Sequence, residues 1–312
     1  MKKNCTFACI LSKKKRIVKQ RDTIMSIKES RAASFLIIAI IYIAAFFVGY
    51  SAYQLPCMAE WHYLWRLFVA DVVATIFVWA FGLAFKNVSV YDPYWSVAPP
   101  VMLTAWAVGL HCFSSATLLL LLAVWVWGIR LTGNWAYTFK NLNAEDWRYT
   151  KYRNSQHSFV FQLINFFGLN MMPTLVVFMV MIPGFKLIEI GADANIFTVL
   201  ACLLCLGSAT LQFIADHQIH CFIMEKRGRV CNVGLWKNGR HPNYLGEIMM
   251  WWGVYFMFLS VTPDVAHNWW WLIGALLNTC MFCFISIPLM EKRQLQNKPE
   301  YVEYKKNTRM FL

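Results

Sequence analysis

Long runs without a charged residue constrain this chain more than any other feature. The longest runs from Pro93 to Ile129, which is too long for one helix, and Ser114-Ser115 is the expected turn within it. A helix that crosses the hydrocarbon core of a bilayer needs about 20 largely apolar residues. The runs predict an all-α, polytopic membrane helix bundle with about eight transmembrane helices. The expected spans cover residues 32–50, 67–85, 97–113, 115–131, 159–183, 194–215, 243–262 and 268–290.

The composition indicates the same class of protein. Apolar residues make up 59% of the 312 residues and charged residues only 14%, whereas a soluble domain carries about 25% charged residues. The net charge of +13 could suggest a nucleic-acid-binding protein, but the basic residues lie between apolar runs and form no patch. We therefore expect no nucleic-acid partner.

The positions of Lys and Arg predict the orientation, because cytoplasmic loops are enriched in these residues. With eight spans and a cytoplasmic N-terminus, only Arg66 and Lys186 of the 29 basic residues fall outside. Both termini are therefore expected in the cytoplasm. We expect an integral protein of the bacterial inner (cytoplasmic) membrane.

The N-terminal part is expected to be a basic cytoplasmic segment over residues 1–31, followed by a single membrane-embedded domain over residues 32–312. No small-residue cleavage pattern follows the first span, so a retained anchor is expected instead of a cleaved signal peptide. Met25 is an alternative start. The cofactor-site portion is expected over residues 200–312.

The cysteines are expected to be packing residues. Cys202 and Cys205 lie three residues apart in an apolar run, as do Cys280 and Cys283. Small, polarisable side chains suit such positions. We therefore expect neither a disulfide framework nor a metal site.

The start of the seventh span is the strongest candidate site. Arg240 and His241 stand at a helix N-terminus, where free N–H groups favour an anion. Asn243 and Glu247 are four residues apart, and Tyr244 shares their face. The alternative is a capped helix start with basic residues at the membrane edge, which does not explain a carboxylate one turn into the membrane.

A second cluster leaves the sixth span. Gln212, Asp216 and His220 recur every four residues and form a polar stripe on one helix face. A hydrogen-bonding cavity wall is favoured over a metal site, because no zinc-ligand motif is present. Arg229 follows, and it either contacts phosphate or serves only the membrane orientation.

Two further clusters contain candidate site residues. Glu291 and Tyr301 lie in a C-terminal segment that either folds over a cofactor or is an ordinary tail. Asp92 and Tyr94 place an acid and a phenol near the bilayer surface, where they either polarise a substrate or form a turn. Together the clusters favour an anionic nucleotide cofactor that meets a lipophilic small molecule from the bilayer. No Rossmann or P-loop motif is present.

One segment carries a family resemblance. Gly234-Leu235-Trp236-x-x-x-Arg240-His241-Pro242-Asn243-Tyr244-x-Gly246-Glu247 resembles the C-terminal motif of the steroid 5-alpha-reductase family, in particular its bacterial branch catalogued as DUF1295. The resemblance extends from about residue 67 to the end of the chain. Shorter matches are Asp92-x-x-Trp95-Ser96, Trp127-Gly128-x-Arg130-Leu131, Glu145-Asp146-x-Arg148-Tyr149, Asp216 and Pro299-x-Tyr301-x-x-Tyr304.

The resemblance implies a reductase that uses NADPH to reduce a carbon–carbon double bond conjugated to a ketone in a lipophilic, steroid-like substrate. The residues that it implies for NADPH are Gln212, Asp216, Arg229, Arg240, Asn243 and Tyr244, and His241, Glu291 and Tyr301 are added as neighbours. Glu247 is expected in the same cavity. Trp127 stands where the family has a tyrosine near the ketone, so the catalytic candidates are Asp92, Tyr94 and Glu247.

Two other functions stay open. Methyltransferases of the isoprenylcysteine and phospholipid types, which use S-adenosylmethionine, share the Arg-His-Pro-x-Tyr-x-Gly block and a glutamate that Glu291 matches. Asn243 and Glu247 together favour the reductase. A non-enzymatic sterol- or lipid-binding protein or a transporter is the third class, and the sequence has no inverted repeat of the transporter kind.

Overall fold

The computed structural model describes residues 28–226 and 228–312, and among these residues helices form without any strand. The helices are α1 Arg31–Tyr53, α2 Tyr63–Phe85, α3 Tyr94–Gly109, α4 Ser115–Thr138, α5 Trp147–Ser155, α6 Ser158–Ile190, α7 Ile196–Glu225, α8 Leu235–Asn238, α9 Pro242–Val261, α10 Val265–Asn297 and α11 Tyr301–Asn307. Seven of these helices are long and apolar enough to cross a membrane. The prediction of an all-helical, polytopic integral membrane bundle is confirmed.

The expected third span differs from the rest. It corresponds to α3, which has 16 residues and contains Pro99 and Pro100. This is shorter than the about 20 residues that a span needs, so α3 is absent from the seven long helices. The expected turn before Ser115 is present, because α4 begins there. Met25 and residues 1–27 of the expected basic segment lie outside the described residues.

Two compact units divide the chain. The first unit comprises residues 28–94 together with Thr138–Met171. In this unit, the Asn87 side chain donates to the carbonyl oxygen of Leu142 at 2.7 Å. The carboxylate of Glu145 accepts from the backbone N–H of Val88 at 2.8 Å and pairs with Arg153 at 2.6 Å. These bonds fix the loop that follows α2.

The second unit comprises Trp95–Tyr137 and Met172–Leu312. Its helices α7 and α9 approach closely, since a Cβ atom at Gly246 would lie 2.5 Å from Cγ of Gln212. A small residue at such a contact allows two helix backbones to pack tightly. The polar stripe of α7 is thereby held against the first turns of α9. Cys202 and Cys205 are buried in this unit.

Candidate functional site

A group of buried polar side chains lies at the contacts of α4, α7 and α9 in the second unit. We call Arg130, Gln212, Asp216, Asn243 and Glu247 the inner cluster. Arg130 donates through Nη1 to Asp216 at 2.8 Å and through Nη2 to Gln212. Asn243 donates to the other oxygen of Asp216 at 3.1 Å. Four residues predicted from helical spacing therefore meet around one arginine from α4.

Glu247 is held by two tryptophans. Trp127 donates its indole N–H to Oε2 at 2.8 Å, and Trp251 donates to Oε1 at 3.0 Å. Arg130 lies 3.9 Å from the same carboxylate. The two indole rings pack edge to face with centroids 4.9 Å apart. Both oxygens of Glu247 are thus fixed, and the side chain is only 6% exposed.

The inner cluster is incompletely satisfied. It holds two carboxylates against one guanidinium, so it carries a surplus negative charge if both acids are ionised. Within the described part of the chain, Nε of Arg130 and Nε2 of Gln212 are buried without a hydrogen-bond partner. Buried polar groups are nearly always hydrogen-bonded, and ionisable groups in a membrane are costly. The arrangement is typical of a ligand site.

The polar stripe continues along α7. His220 lies one helical turn beyond Asp216, and its Nε2 is 2.8 Å from Oδ1 of Asn134 on α4. The ring of Tyr137 packs against that of His220, with centroids 5.0 Å apart. The predicted stripe is therefore a hydrogen-bonding face towards α4.

A second group surrounds Glu291 near the end of α10. We call Arg240, His241, Lys305 and Glu291 the outer cluster. The Glu291 carboxylate lies 2.8 Å from Arg240 Nε, 3.1 Å from His241 Nε2 and 2.6 Å from Lys305 Nζ. Burial lowers the pKa of His241, so the positive charge comes from Arg240 and Lys305. The anion that the sequence predicts at this helix start is supplied by the chain itself.

The last residues of the chain hold the outer cluster in place. We call residues 301–312 the C-terminal strap. The backbone N–H groups of Arg240 and His241 donate to the carbonyl oxygens of Arg309 and Met310 at 2.9 and 3.1 Å. Arg240 also donates through Nη1 to backbone oxygens of the strap. A Cβ atom at Gly239 would lie 3.0 Å from the strap backbone, so a larger residue would push the strap outwards.

The two remaining predicted cofactor residues are Arg229, which lies beside the strap, and Tyr301, which begins it. Arg229 pairs with Glu300 at 2.9 Å, and its side chain is 72% exposed. The two line an open cleft of about 1040 Å³, together with Lys226 and Lys237. Tyr301 is buried, and burial raises its pKa to about 12. The cleft slightly exceeds the range of about 300–1,000 Å³ that is typical of cofactor sites.

Tyr244 lies against the outer cluster. Its ring stacks on that of His241, with centroids 5.3 Å apart and planes within 8°. On its other side it contacts Phe282, with centroids 5.0 Å apart. The sequence predicts that Tyr244 shares the face of Asn243 and Glu247, whereas its ring packs against His241 of the outer cluster. The stacking limits the orientation of the histidine ring.

The catalytic candidates Asp92 and Tyr94 belong to the first unit. The Tyr94 hydroxyl donates to Asp71 at 2.8 Å, and Tyr149 donates its hydroxyl to Asp92. The two candidates are therefore held by different partners. Burial raises the pKa of Asp92 to about 6, although the nearby Arg148 opposes this effect.

Sequence reasoning missed four residues of the second-unit clusters as site residues. The sequence places Arg130 and Trp127 in a short motif match without making them site candidates, Lys305 in the C-terminal segment, and Trp251 in none of the predicted clusters. The available signal for Arg130 was its position as the first charge after the long run that ends at Ile129. In the described ranges, 28–226 and 228–312, no three His, Cys, Asp or Glu side chains come together as a metal site.

The family model of a protein of unknown function, DUF1295, matches residues 78–308. Uncharacterized protein C594.04c of Schizosaccharomyces pombe is 22% identical over 285 residues, which cover 81% of this chain and 81% of that protein. No solved structure matches the chain significantly. The chain belongs to the DUF1295 family of proteins of unknown function.

Proposed function

We propose that this protein is a membrane-embedded reductase that uses NADPH to reduce a carbon–carbon double bond conjugated to a ketone in a lipophilic, steroid-like substrate. We also propose that the protein lies in the steroid 5-alpha-reductase superfamily, in its bacterial branch, and resides in the bacterial inner membrane. The substrate would reach the protein from the lipid bilayer. The motif over residues 234–247 supports this relation.

The observation that carries the proposal is the inner cluster. Its buried donors, Nε of Arg130 and Nε2 of Gln212, have no partner among the described residues. Leaving such groups unpaired costs about 1–3 kcal/mol each. A ligand with acceptor oxygens, such as a carboxamide or a ribose, would satisfy both donors. NADPH carries such groups together with phosphates.

The cations of the outer cluster and of the adjacent cleft suit the phosphates of NADPH. Arg240 and Lys305 are cations within one cluster, and Arg229, Lys226 and Lys237 line the adjacent cleft. Guanidinium groups suit phosphate because their planar N–H donors match its oxygens. We therefore assign Arg130, Gln212, Asp216 and Asn243 to the redox half of the cofactor. The cations would hold its phosphates.

The chain's own residues would then orient the reaction. NADPH, when bound, supplies a hydride. Arg130 and Gln212 would hold its polar atoms, and Trp127 and Trp251 would fix Glu247 and exclude water from the inner cluster. The roles of Asp92 and Tyr94 in polarising the ketone stay predictions.

A methyltransferase that uses S-adenosylmethionine is the second candidate. Two observations favour it. Glu291, the matching glutamate, is buried near the end of the last long helix. The inner cluster also holds two carboxylates against one guanidinium, a surplus negative charge that suits a sulfonium cation if both acids are ionised. A non-enzymatic lipid-binding protein does not explain two unpartnered buried donors beside cationic groups.

The cofactor is tested by thermal unfolding of the purified protein in detergent. A ligand present at 100 times its Kd stabilises the native state by about 2.7 kcal/mol. We expect NADPH to raise the Tm, and S-adenosylmethionine to leave it unchanged. The reverse result would replace the reductase with the methyltransferase.

Variants of the inner cluster test whether NADPH binds there. Asn243→Leu and Gln212→Leu should abolish the NADPH shift. The matched control is Asn278→Leu, because Asn278 is a buried asparagine of α10 with an unpartnered amide nitrogen and lies outside both clusters. A NADPH shift that survives in both cluster variants would exclude this site.

A further inference from the structure

The outer cluster has an uneven distribution of charge. Glu291 is 5% exposed, and its carboxylate contacts three nitrogen-bearing side chains. Arg240 and Lys305 are full cations, so the cluster keeps a surplus positive charge after Glu291 is counted. One carboxylate has two oxygens for three donors, whereas a phosphate group offers three oxygens and more charge.

A cavity gives access to these groups. It has a volume of about 430 Å³ and is lined by Glu291, Lys305 and Lys292 together with apolar residues such as Leu295 and Met310. The volume lies within the range of about 300–1,000 Å³ that is typical of small-molecule sites. A ligand in this cavity would contact the carboxylate and the ammonium group of the outer cluster directly.

The cations differ in freedom of movement. Arg240 is anchored, because its guanidinium also donates to backbone oxygens of Lys305 and Thr308. The Lys305 side chain is 43% exposed and ends a flexible stem. Glu291 is the only carboxylate in the described part of the chain that pairs with either cation. If the Glu291 side chain rotated away, Arg240 and Lys305 would both direct donors at the position that its carboxylate had occupied.

We propose that Glu291 occupies the position of a ligand's anionic group: a phosphate or pyrophosphate group binds Arg240 and Lys305 through the cavity of about 430 Å³ and displaces the Glu291 carboxylate. The identification of this group with a phosphate of NADPH rests on the proposed function. The displacement itself does not, because it follows from the charges and the cavity of this chain.

Inorganic pyrophosphate tests the displacement. Its half-saturating concentration is measured from the thermal shift of the full chain in detergent, for the wild type and for Glu291→Gln. If the Glu291 carboxylate occupies the anion position in about nine-tenths of the molecules, the apparent affinity for pyrophosphate is weakened about tenfold. We therefore expect Glu291→Gln to bind pyrophosphate about tenfold more tightly than the wild type. Equal or weaker binding would overturn the proposal.

Glu189→Gln is the matched control, because it removes the same charge from a glutamate that lies outside both clusters and lines neither cavity. Its carboxylate lies 3.9 Å from Lys186 and its side chain is 46% exposed, and such exposed pairs have little energetic effect. We expect its half-saturating concentration to stay within about twofold of the wild type. A gain equal to that of Glu291→Gln would indicate a general charge effect and contradict a site at the outer cluster.

A second variant and a second ligand complete the test. If Glu291→Gln does not fold, Glu291→Asp takes its place, because a shorter side chain retracts the carboxylate from Lys305 while the charge stays; the same criterion of tighter binding applies. NADPH is titrated in parallel. Tighter pyrophosphate binding without any NADPH binding would support the anion site and reject the proposed cofactor.

Discussion

Trp127 donates its indole N–H to the carboxylate of Glu247 across 2.8 Å. The two residues come from α4 and α9, and both side chains are buried. A neutral donor fixes the carboxylate in place without cancelling its charge. Because Trp251 donates to the other oxygen at 3.0 Å, both oxygens of Glu247 are held in place beside Arg130.

Trp127→Phe removes one donor and keeps the ring packing. A buried carboxylate oxygen without its hydrogen bond costs about 1–3 kcal/mol, so we expect the free energy of unfolding in detergent to fall by that amount. The control is Trp125→Phe, since Trp125 donates to Thr104 at 2.9 Å but is 38% exposed. Equal losses of unfolding free energy in the two variants would show that the buried hydrogen bond to Glu247 has no larger effect than the exposed one to Thr104.

The pair of Arg130 and Asp216 should show strong coupling. Removing one partner of a buried ion pair costs about 3–5 kcal/mol, and Arg130→Met would leave the carboxylates of Asp216 and Glu247 without their cation. Asp216→Asn in the same chain should restore part of the loss. A double-mutant cycle of unfolding free energies measures the coupling. Additive losses would show that the two side chains act independently.

Asp92 should make stability depend on pH. Burial raises its pKa from 3.8 to about 6, so the folded protein keeps a proton that the unfolded chain loses within this range. The resulting contribution, at most about 3 kcal/mol, is present below about pH 4 and is lost as the pH rises towards about 6. Asp92→Asn should remove it. We would compare unfolding of both proteins across this range, and the same pH dependence in both would refute the assignment.

Gly239→Ala should loosen the C-terminal strap. Its added Cβ atom would lie 3.0 Å from backbone atoms of Phe311 and Leu312. We expect faster hydrogen exchange at the amides of Arg240 and His241, which donate to the strap. Mass spectrometry of the corresponding peptide measures this. In contrast, Gly207→Ala on α7 meets no atom within 4 Å and should leave the exchange unchanged, because alanine only favours the helix.

The helices could be predicted because membrane spans are local in sequence. A run such as Pro93 to Ile129 contains its own signal, and the departure at α3 arises from a short segment with two prolines. Spacing of four residues also predicted that Gln212 and Asp216 share one face. Helical spacing therefore predicted the members of the inner cluster that lie on α7 and α9.

The partners from other helices could not be predicted in this way. Arg130 reaches Asp216 across 86 positions of sequence, and Glu291 reaches Arg240 across 51. No periodicity within one helix specifies which face of another helix it contacts. The sequence showed that Arg240 and His241 would attract an anion, but only packing shows that Glu291 is that anion.

The C-terminal strap has a consequence for the order of assembly. Arg309 and Met310 are translated after every long helix of the bundle, yet their carbonyl oxygens accept from the N–H groups that precede α9. The outer cluster can therefore form only once these last residues have left the ribosome and folded back. Until then, Arg240 lacks its backbone acceptors, and Glu291 lacks Lys305. Synthesis of residues 301–312 would itself be the event that closes this side of the second unit.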